Sequence, residues 1–173
     1  MFDPDYEGLL KDVPLTDARV LWRRIDQLEP RDIEYVRNVY DAEVRGQDEE
    51  IGKFWRWLEK NGHLEDTVVV FVSDHGEEFW EHGGFEHGRH LFDEVLRIPM
   101  VIDGPGVDGS RSDVPISLVD ITPTVLDMLG IEADLYGESL VSLMEGDAAA
   151  NEALGKRDIT FGMPLYGSER WGM

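Results

Sequence analysis

The sequence predicts an α/β fold in which helices cover both faces of a mostly parallel sheet. Residues 30–60 have the apolar spacing of an amphipathic helix, and residues 67–72 form an apolar run typical of a buried strand. A second apolar run, at residues 98–102, predicts another buried strand. Because buried parallel strands lack alternation and follow helices, this order is typical of half of a βαβ unit.

The predicted helix has apolar side chains at spacings of three, four and seven residues, which places them on one face. Asn61-Gly62 is expected to end this helix, since glycine is common just past a helix C-terminus. The apolar positions are Ile33, Val36, Tyr40, Val44, Ile51, Phe54 and Leu58.

Shorter elements are predicted in the second half of the chain. Asp120 is expected to cap the helix that follows it, with Pro123 tolerated in the first helical turn. Gly130 is expected to end that helix. The predicted elements are a strand at residues 114–118, a helix at 122–129, a helix at 140–144 and a strand at 158–163.

The chain contains neither an internal repeat nor a recognisable linker, so a single domain over residues 1–173 is predicted. Residues 1–29 carry little periodicity and are interpreted as an irregular leading segment. Residues 30–145 hold the α/β portion, and residues 146–173 begin a C-terminal segment.

The charge balance excludes several classes of partner. With 16 basic and 37 acidic residues, the chain has a net charge of −21, which repels nucleic-acid backbones and anionic membrane surfaces. The dispersed carboxylates and the preference for Arg over Lys indicate a salt-adapted protein, with an ordinary acidic bacterial domain as the alternative.

The cysteine count and the N-terminal residues indicate the cellular compartment of the protein. The chain has no cysteine, which excludes disulfides and thiolate metal sites. No apolar run approaches the roughly 20 residues that a membrane helix needs. Because residues 1–5 are acidic, unlike a secretory signal, we expect a cytoplasmic protein.

Four of the five histidines lie within sixteen residues, just past the strand at residues 67–72. Ligand sites of open α/β sheets form beyond the carboxyl ends of strands. Asp74 and His75 offer an oxygen and a nitrogen ligand, a pair that suits a divalent cation, and Gly76 permits a sharp turn after them. The alternative is that Ser73 and Asp74 cap the following segment while His75 faces solvent.

The next loop repeats the His-Gly pair at His82-Gly83 and His87-Gly88. Histidine can ligate metal, bind an anion or protonate a leaving group near neutral pH. A functional role is favoured for His87, while His82 and His90 stay open between function and structure. The guanidinium group of Arg89 could bind an oxyanion, but an ion pair with a nearby carboxylate is the favoured interpretation.

These motifs together resemble the C-terminal half of the sulfatase catalytic domain, in the alkaline phosphatase superfamily. The resemblance covers residues 31–140 and implies a partial three-layer sandwich. Its motifs, in order, are YDAEVRGQDEEIGKFWRWLEKNGHLEDT, VVVFVSDHGEEF, EHGGFEHG, LFDEVLRIPMVIDGPG and SLVDITPTVLDMLGI.

The resemblance implies that Asp74 and His75 ligate the active-site metal and that His87 contacts the sulfate or phosphate. Calcium is the favoured ion, with magnesium, manganese or zinc as alternatives. The implied reaction is hydrolysis of a small anionic sulfate ester. A phosphatase or phosphodiesterase of the same superfamily is the near alternative.

The chain departs from the family in its nucleophile. It has no C-x-P-x-R or S-x-P-x-R motif and no early strand ending in Asp-Asp. We therefore expect an incomplete fragment, inactive by itself, with a separate N-terminal half as a candidate partner that supplies the nucleophile. The second hypothesis is a catalytically silent remnant that at most binds a cation.

Salt should stabilise the folded chain, because a net charge of −21 repels itself and screening weakens that repulsion. The Debye length falls from about 10 Å at 0.1 M salt to about 3 Å at 1 M. We expect the melting temperature measured by circular dichroism to rise across this range. A flat melting temperature would contradict salt adaptation.

Overall fold

The computed structural model describes residues 3–15, 18–159, 161–165 and 168–172, the side chains of residues 18, 19 and 161–172 excepted. Short 3₁₀ turns occur at Ile25–Gln27, His63–Glu65 and Leu118–Asp120. The main elements are α1 (Ala18–Trp22), α2 (Pro30–Lys60), β1 (Val69–Val72), β2 (Glu78–Phe79), β3 (Phe85–Glu86), α3 (Asp93–Leu96), β4 (Met100–Asp103), α4 (Ile121–Met128), α5 (Val141–Met144), α6 (Ala148–Gly155), β5 (Phe161–Leu165) and β6 (Ser168–Gly172).

The chain divides into two compact units. The first contains Met1–Leu64 and His75–Arg97, and the second contains Glu65–Asp74 and Ile98–Met173. The two units interleave along the sequence, so no single linker separates them. The single-domain interpretation and its segment bounds stay a prediction.

In the first unit, helix α2 starts and ends where the sequence predicts. At its start, the Glu29 N–H donates to Asp32 Oδ2 at 2.8 Å, in a reciprocal capping box. The Asp32 carboxylate also accepts from the Tyr6 hydroxyl and from the Leu9 N–H. At its end, Gly62 has a φ of 74°, which glycine adopts at little cost.

The core of the first unit ties the leading segment to α2. Tyr6, Leu10, Leu21 and Val36 form a buried cluster, and the first three of these residues lie in the described part of the leading segment, which therefore contributes to the core. Burial and the hydrogen bond to Asp32 raise the pKa of Tyr6 to about 12. Burial alone would raise the pKa of Asp32, but the hydrogen bonds from Tyr6, Glu29 and Leu9 hold this pKa below its ordinary value.

The second half of α2 leaves its apolar stripe exposed. Val44 is 50% exposed, Phe54 60% and Trp57 52%. The periodicity thus predicts the helix correctly, and the described residues do not cover this part of its apolar face.

In the second unit, β1 and β4 occur where strands are predicted, but their predicted parallel arrangement is wrong. They pair antiparallel, with Val69 opposite Asp103 and Val72 opposite Met100. A parallel pair needs a crossover, usually a full helix. Here the connection holds a hairpin and the four-residue helix α3, and β4 returns against β1.

The other strand pairings among the described residues, β2 with β3 and β5 with β6, are also antiparallel. Phe71 and Val101 lie opposite each other in the β1–β4 pair and are 48% and 56% exposed. The expectation of a mostly parallel sheet covered on both faces is therefore not met by the described residues. The α/β content itself is present.

The elements after β4 follow the predictions in part. Helices α4 and α5 match the predicted helices closely, while β5 begins three residues later than the strand predicted at 158–163, and residue 160 lies outside the described residues. The strand predicted at 114–118 is wrong. Leu118–Asp120 forms a 3₁₀ turn instead, because the Ser117 N–H donates to Asp120 Oδ2 at 2.7 Å in a capping box.

Asp120 precedes α4 as predicted, yet its side chain does not cap that helix. It is fully buried and accepts two hydrogen bonds from Arg157, at 2.7 and 2.6 Å, and one from the Glu138 N–H at 2.9 Å. Burial would raise the pKa of Asp120, but the bonds from Arg157 and the backbone outweigh it and lower the pKa. This bidentate pair joins the segments before α4 and after α6.

Replacing Arg157 should strongly destabilise the second unit, because Asp120 would be left buried without its cation. We expect Arg157→Ala to lower the free energy of unfolding by about 3–5 kcal/mol. Urea denaturation measures this change.

Arg111→Ala is the matched control, since it removes an exposed ion pair. The side chains of Arg111 and Asp113 are each 89% exposed, and Arg111 Nη2 lies 3.5 Å from Asp113 Oδ1. Its loss should stay below about 1 kcal/mol. An equally small loss for Arg157→Ala would contradict the assigned role of the buried pair.

Candidate metal and anion site

The histidine-rich loop of the first unit is held by a close approach at Gly76. The Gly76 N–H donates to the Val95 carbonyl at 2.7 Å. A Cβ at this position would lie 2.0 Å from the Glu94 carbonyl oxygen, so a side chain could not fit without moving the backbone. Glycine here thus places His75 next to the segment that contains α3.

The hairpin formed by β2 and β3 carries local backbone strain. Trp80 and Glu86 have φ values of 65° and 75°, in the left-handed region that non-glycine residues seldom adopt. The Trp80 N–H donates to the Gly84 carbonyl at 2.7 Å, which closes the turn. Glu86 immediately precedes His87, so the unusual backbone sets the direction in which the chain presents His87. Strained residues of this kind cluster at functional sites.

His75, Glu77 and His87 form the first side-chain cluster of the loop, called here the first cluster. The two imidazole rings stack with their centroids 3.8 Å apart. His87 Nδ1 lies 2.6 Å from Glu77 Oε1, and His75 Nδ1 lies 3.8 Å from the same oxygen. One ligand atom from each residue falls within 4.8 Å of the others.

The geometry of the first cluster suits cation or anion chemistry. Glu77 bonds His87 through Nδ1, which orients the ring and leaves Nε2 as the second functional nitrogen. Two imidazoles and one carboxylate are a donor set for borderline divalent ions such as Mn²⁺ or Zn²⁺. The side chains of His75 and His87 are 38% and 43% exposed, so a ligand from solvent can reach them.

The structure brings together two of the three predicted site residues, His75 and His87. Asp74 is exposed and belongs to the second unit, so its convergence with His75 stays a prediction. Glu77 was not among the predicted site residues. Its position two residues after His75 is a usable signal, because in extended backbone such residues return to the same side.

The remaining polar side chains of the loop have structural partners. His82 Nδ1 lies 2.6 Å from Glu94 Oε1, and His90 Nδ1 lies 2.5 Å from Glu78 Oε2. Arg89 does not show the expected carboxylate pairing among the described residues. Its guanidinium carbon lies 4.0 Å from the centroid of the Trp22 ring, in a cation–π contact.

Among the described helices, none combines the length and apolar character that crossing a bilayer would require.

Sequence comparison relates the chain to sulfatases. It is 38% identical to N-acetylglucosamine-6-O-sulfatase of Bacteroides thetaiotaomicron over 118 residues, which are 66% of this chain and 21% of that protein. It is 39% identical to arylsulfatase K of Danio rerio over 116 residues, 65% of this chain and 22% of that protein. The chain thus spans about a fifth of the length of these relatives.

Solved structures give the same relationship. A phosphonate monoester hydrolase from Silicibacter pomeroyi matches with a TM-score of 0.68 and 27% identity, covering 82% of this chain and 28% of that one. A protein solved in complex with its substrate D-glucosamine-2-N,6-O-disulfate matches with a TM-score of 0.61 and 28% identity, covering 88% of this chain and 32% of that one. The predicted superfamily is confirmed.

The sequence profile of the sulfatase family matches residues 10–131, a span that includes every residue of the first cluster and Asp74. Since this span is well over half of the chain, the protein belongs to the sulfatase family.

Proposed function

We propose that this chain is the metal- and anion-binding part of a sulfatase that hydrolyses a small anionic sulfate ester. The observation that carries the proposal is the first cluster, in which Glu77 holds His87 against His75. Support comes from the family and from relatives named as sulfatases.

The proposed cation ligands are Asp74 and His75, with Glu77 within reach of His75. Their oxygen and nitrogen donors fit a divalent ion. Calcium is favoured by the resemblance, and manganese or zinc by the imidazole content. Such an ion would neutralise negative charge on the ester group.

His87 is proposed to bind the anionic group or to donate a proton to the leaving oxygen. Its Nδ1 faces Glu77 at 2.6 Å, so Nε2 is the nitrogen available to a substrate. When both nitrogens are protonated, Nε2–H donates to an ester oxygen while Glu77 stabilises the positive ring. In this scheme Glu77 is a positioning residue.

The proposed nucleophile lies outside these 173 residues. The sequence lacks the nucleophile motifs C-x-P-x-R and S-x-P-x-R, and the chain spans about a fifth of its relatives. The exposed apolar stripe of α2, with Val44, Phe54 and Trp57, supports this idea because such a surface is typical of an interaction site.

A second candidate function is hydrolysis of a phosphate or phosphonate ester. It is favoured by the structural match to a phosphonate monoester hydrolase. The two candidates differ in the ester recognised and share the same proposed ligands. A chain that only binds a cation is the outcome expected if no nucleophile can be supplied.

The pure chain should not hydrolyse aryl sulfates or aryl phosphates, because it offers no activated nucleophile. Adding a polypeptide that carries the rest of the family's domain should produce turnover, measured by release of the phenol. In that mixture, His87→Gln should lower kcat by about 10²- to 10⁴-fold.

His63→Gln is the control, since His63 is exposed and contacts Trp57 away from the first cluster. It should leave turnover unchanged. Robust turnover by the pure chain, abolished by Asp74→Ala, would contradict the need for residues outside this sequence. Turnover insensitive to His87→Gln would contradict the role of His87.

Glu77→Gln should weaken binding of Mn²⁺ by about 10- to 100-fold, because the amide neither ligates as well nor orients the histidines as a carboxylate does. Isothermal titration calorimetry measures the change. Glu132→Gln removes one charge from an exposed position and is the control for the general effect of charge. Equal effects of the two substitutions would show that Glu77 acts only through net charge.

A further inference from the structure

A second group of side chains with metal-ligand atoms lies in the same loop and takes no part in the proposed hydrolysis. Glu78, His82 and Glu94 each place one ligand atom within 4.8 Å of the others. We propose that these three residues form a second divalent-metal site, selective for zinc or a similar first-row transition ion.

The donor set supports a transition ion over calcium. It offers one imidazole nitrogen and two carboxylate oxygens, and three protein ligands with an open fourth position are typical of zinc sites that keep a water. Calcium takes six to eight oxygen ligands, which these residues do not supply.

The ligand atoms of His82 and Glu94 lie close to the spacing that a zinc ion requires. His82 Nδ1 and Glu94 Oε1 lie 2.6 Å apart, a hydrogen-bond distance. Two ligand atoms about 2.0 Å from a tetrahedral zinc ion lie about 3.3 Å from each other. Opening this pair by less than about 1 Å therefore lets the ion bind between the two atoms.

Glu78 supplies a ligand that is already fixed in place. Its side chain is 1% exposed. The Oε1 atom accepts from the His82 N–H at 3.2 Å and the Gly84 N–H at 2.8 Å, and Oε2 faces His90 Nδ1 at 2.5 Å. A carboxylate has about four lone-pair positions, so one is left for a metal ion. The contact with His90 helps to orient the Glu78 carboxylate, as hydrogen bonds to metal ligands do in known metal sites.

The position of the His82 ring is also fixed by packing. Its centroid lies 3.6 Å from that of Phe92, with the ring planes 17° apart. The ring therefore keeps its orientation when the bond to Glu94 is exchanged, which reduces the conformational entropy lost on binding.

The test uses the full chain in which the first proposed cation site is disabled by replacing its two proposed ligands, Asp74→Ala and His75→Gln. Titration of this double variant with Zn²⁺ in a calorimeter should still show one bound equivalent. Adding His82→Gln should weaken that binding by at least about 100-fold, since a direct ligand matters more than the outer contacts worth about 10- to 100-fold. Adding His63→Gln instead is the matched control and should change nothing.

A second measurement does not depend on the variants folding. In the unmutated chain, the ring ¹⁵N resonances of His82 should shift on addition of Zn²⁺ and should shift far less with Ca²⁺. Zinc binding that survives His82→Gln at full strength, or His82 resonances that do not respond to zinc, would overturn the proposal.

Discussion

The loop depends on one buried carboxylate, that of Glu78. Leaving an ionised group out of water is costly unless its oxygens are hydrogen-bonded. Here the loop folds around it, with the N–H groups of His82 and Gly84 and the ring of His90 as donors. Burial would raise the pKa of Glu78, but these bonds outweigh it and lower the pKa, so the carboxylate stays charged. A Cβ at Gly84 would come within 2.7 Å of this carboxylate, which shows how closely the turn is built on it.

The two side-chain clusters follow from this arrangement. Glu77 and Glu78 are consecutive, and consecutive residues of extended chain point to opposite sides. Glu77 contacts His87, whereas Glu78 contacts His90 and the backbone of His82. A loop with four histidines thereby becomes two groups, each with its own carboxylates. The chemistry proposed for one group does not require the other.

Local sequence signals predict most of the helices and strands correctly. Features that depend on residues far apart in the sequence are not predicted. Helix α2 and strands β1 and β4 are predicted correctly because hydrophobic periodicity and turn residues depend only on neighbouring positions in the sequence. Strand direction depends on the whole connection between β1 and β4, which sequence pattern alone leaves open. The strand expected at residues 114–118 failed because Asp120 forms a capping box with Ser117 and pairs with Arg157, 37 residues away.

The candidate site shows the same division. His75 and His87 could be proposed from their motifs, and the structure brings them together. Glu94 could not be assigned to His82 from the sequence, because 37 acidic residues offer too many equivalent partners. Contacts twelve residues apart, such as His82 with Glu94, depend on the close approach at Gly76, which no spacing rule reveals.

The net charge of the chain determines the order in which the proposed cation and ester bind. A net charge of −21 attracts divalent cations to the loop and repels an anionic ester before it arrives. Arg89 lies over the Trp22 ring, so its positive charge does little to offset this repulsion near His87. Under the proposed function, the cation must therefore be held before the ester, since only a local excess of positive charge can overcome the repulsion.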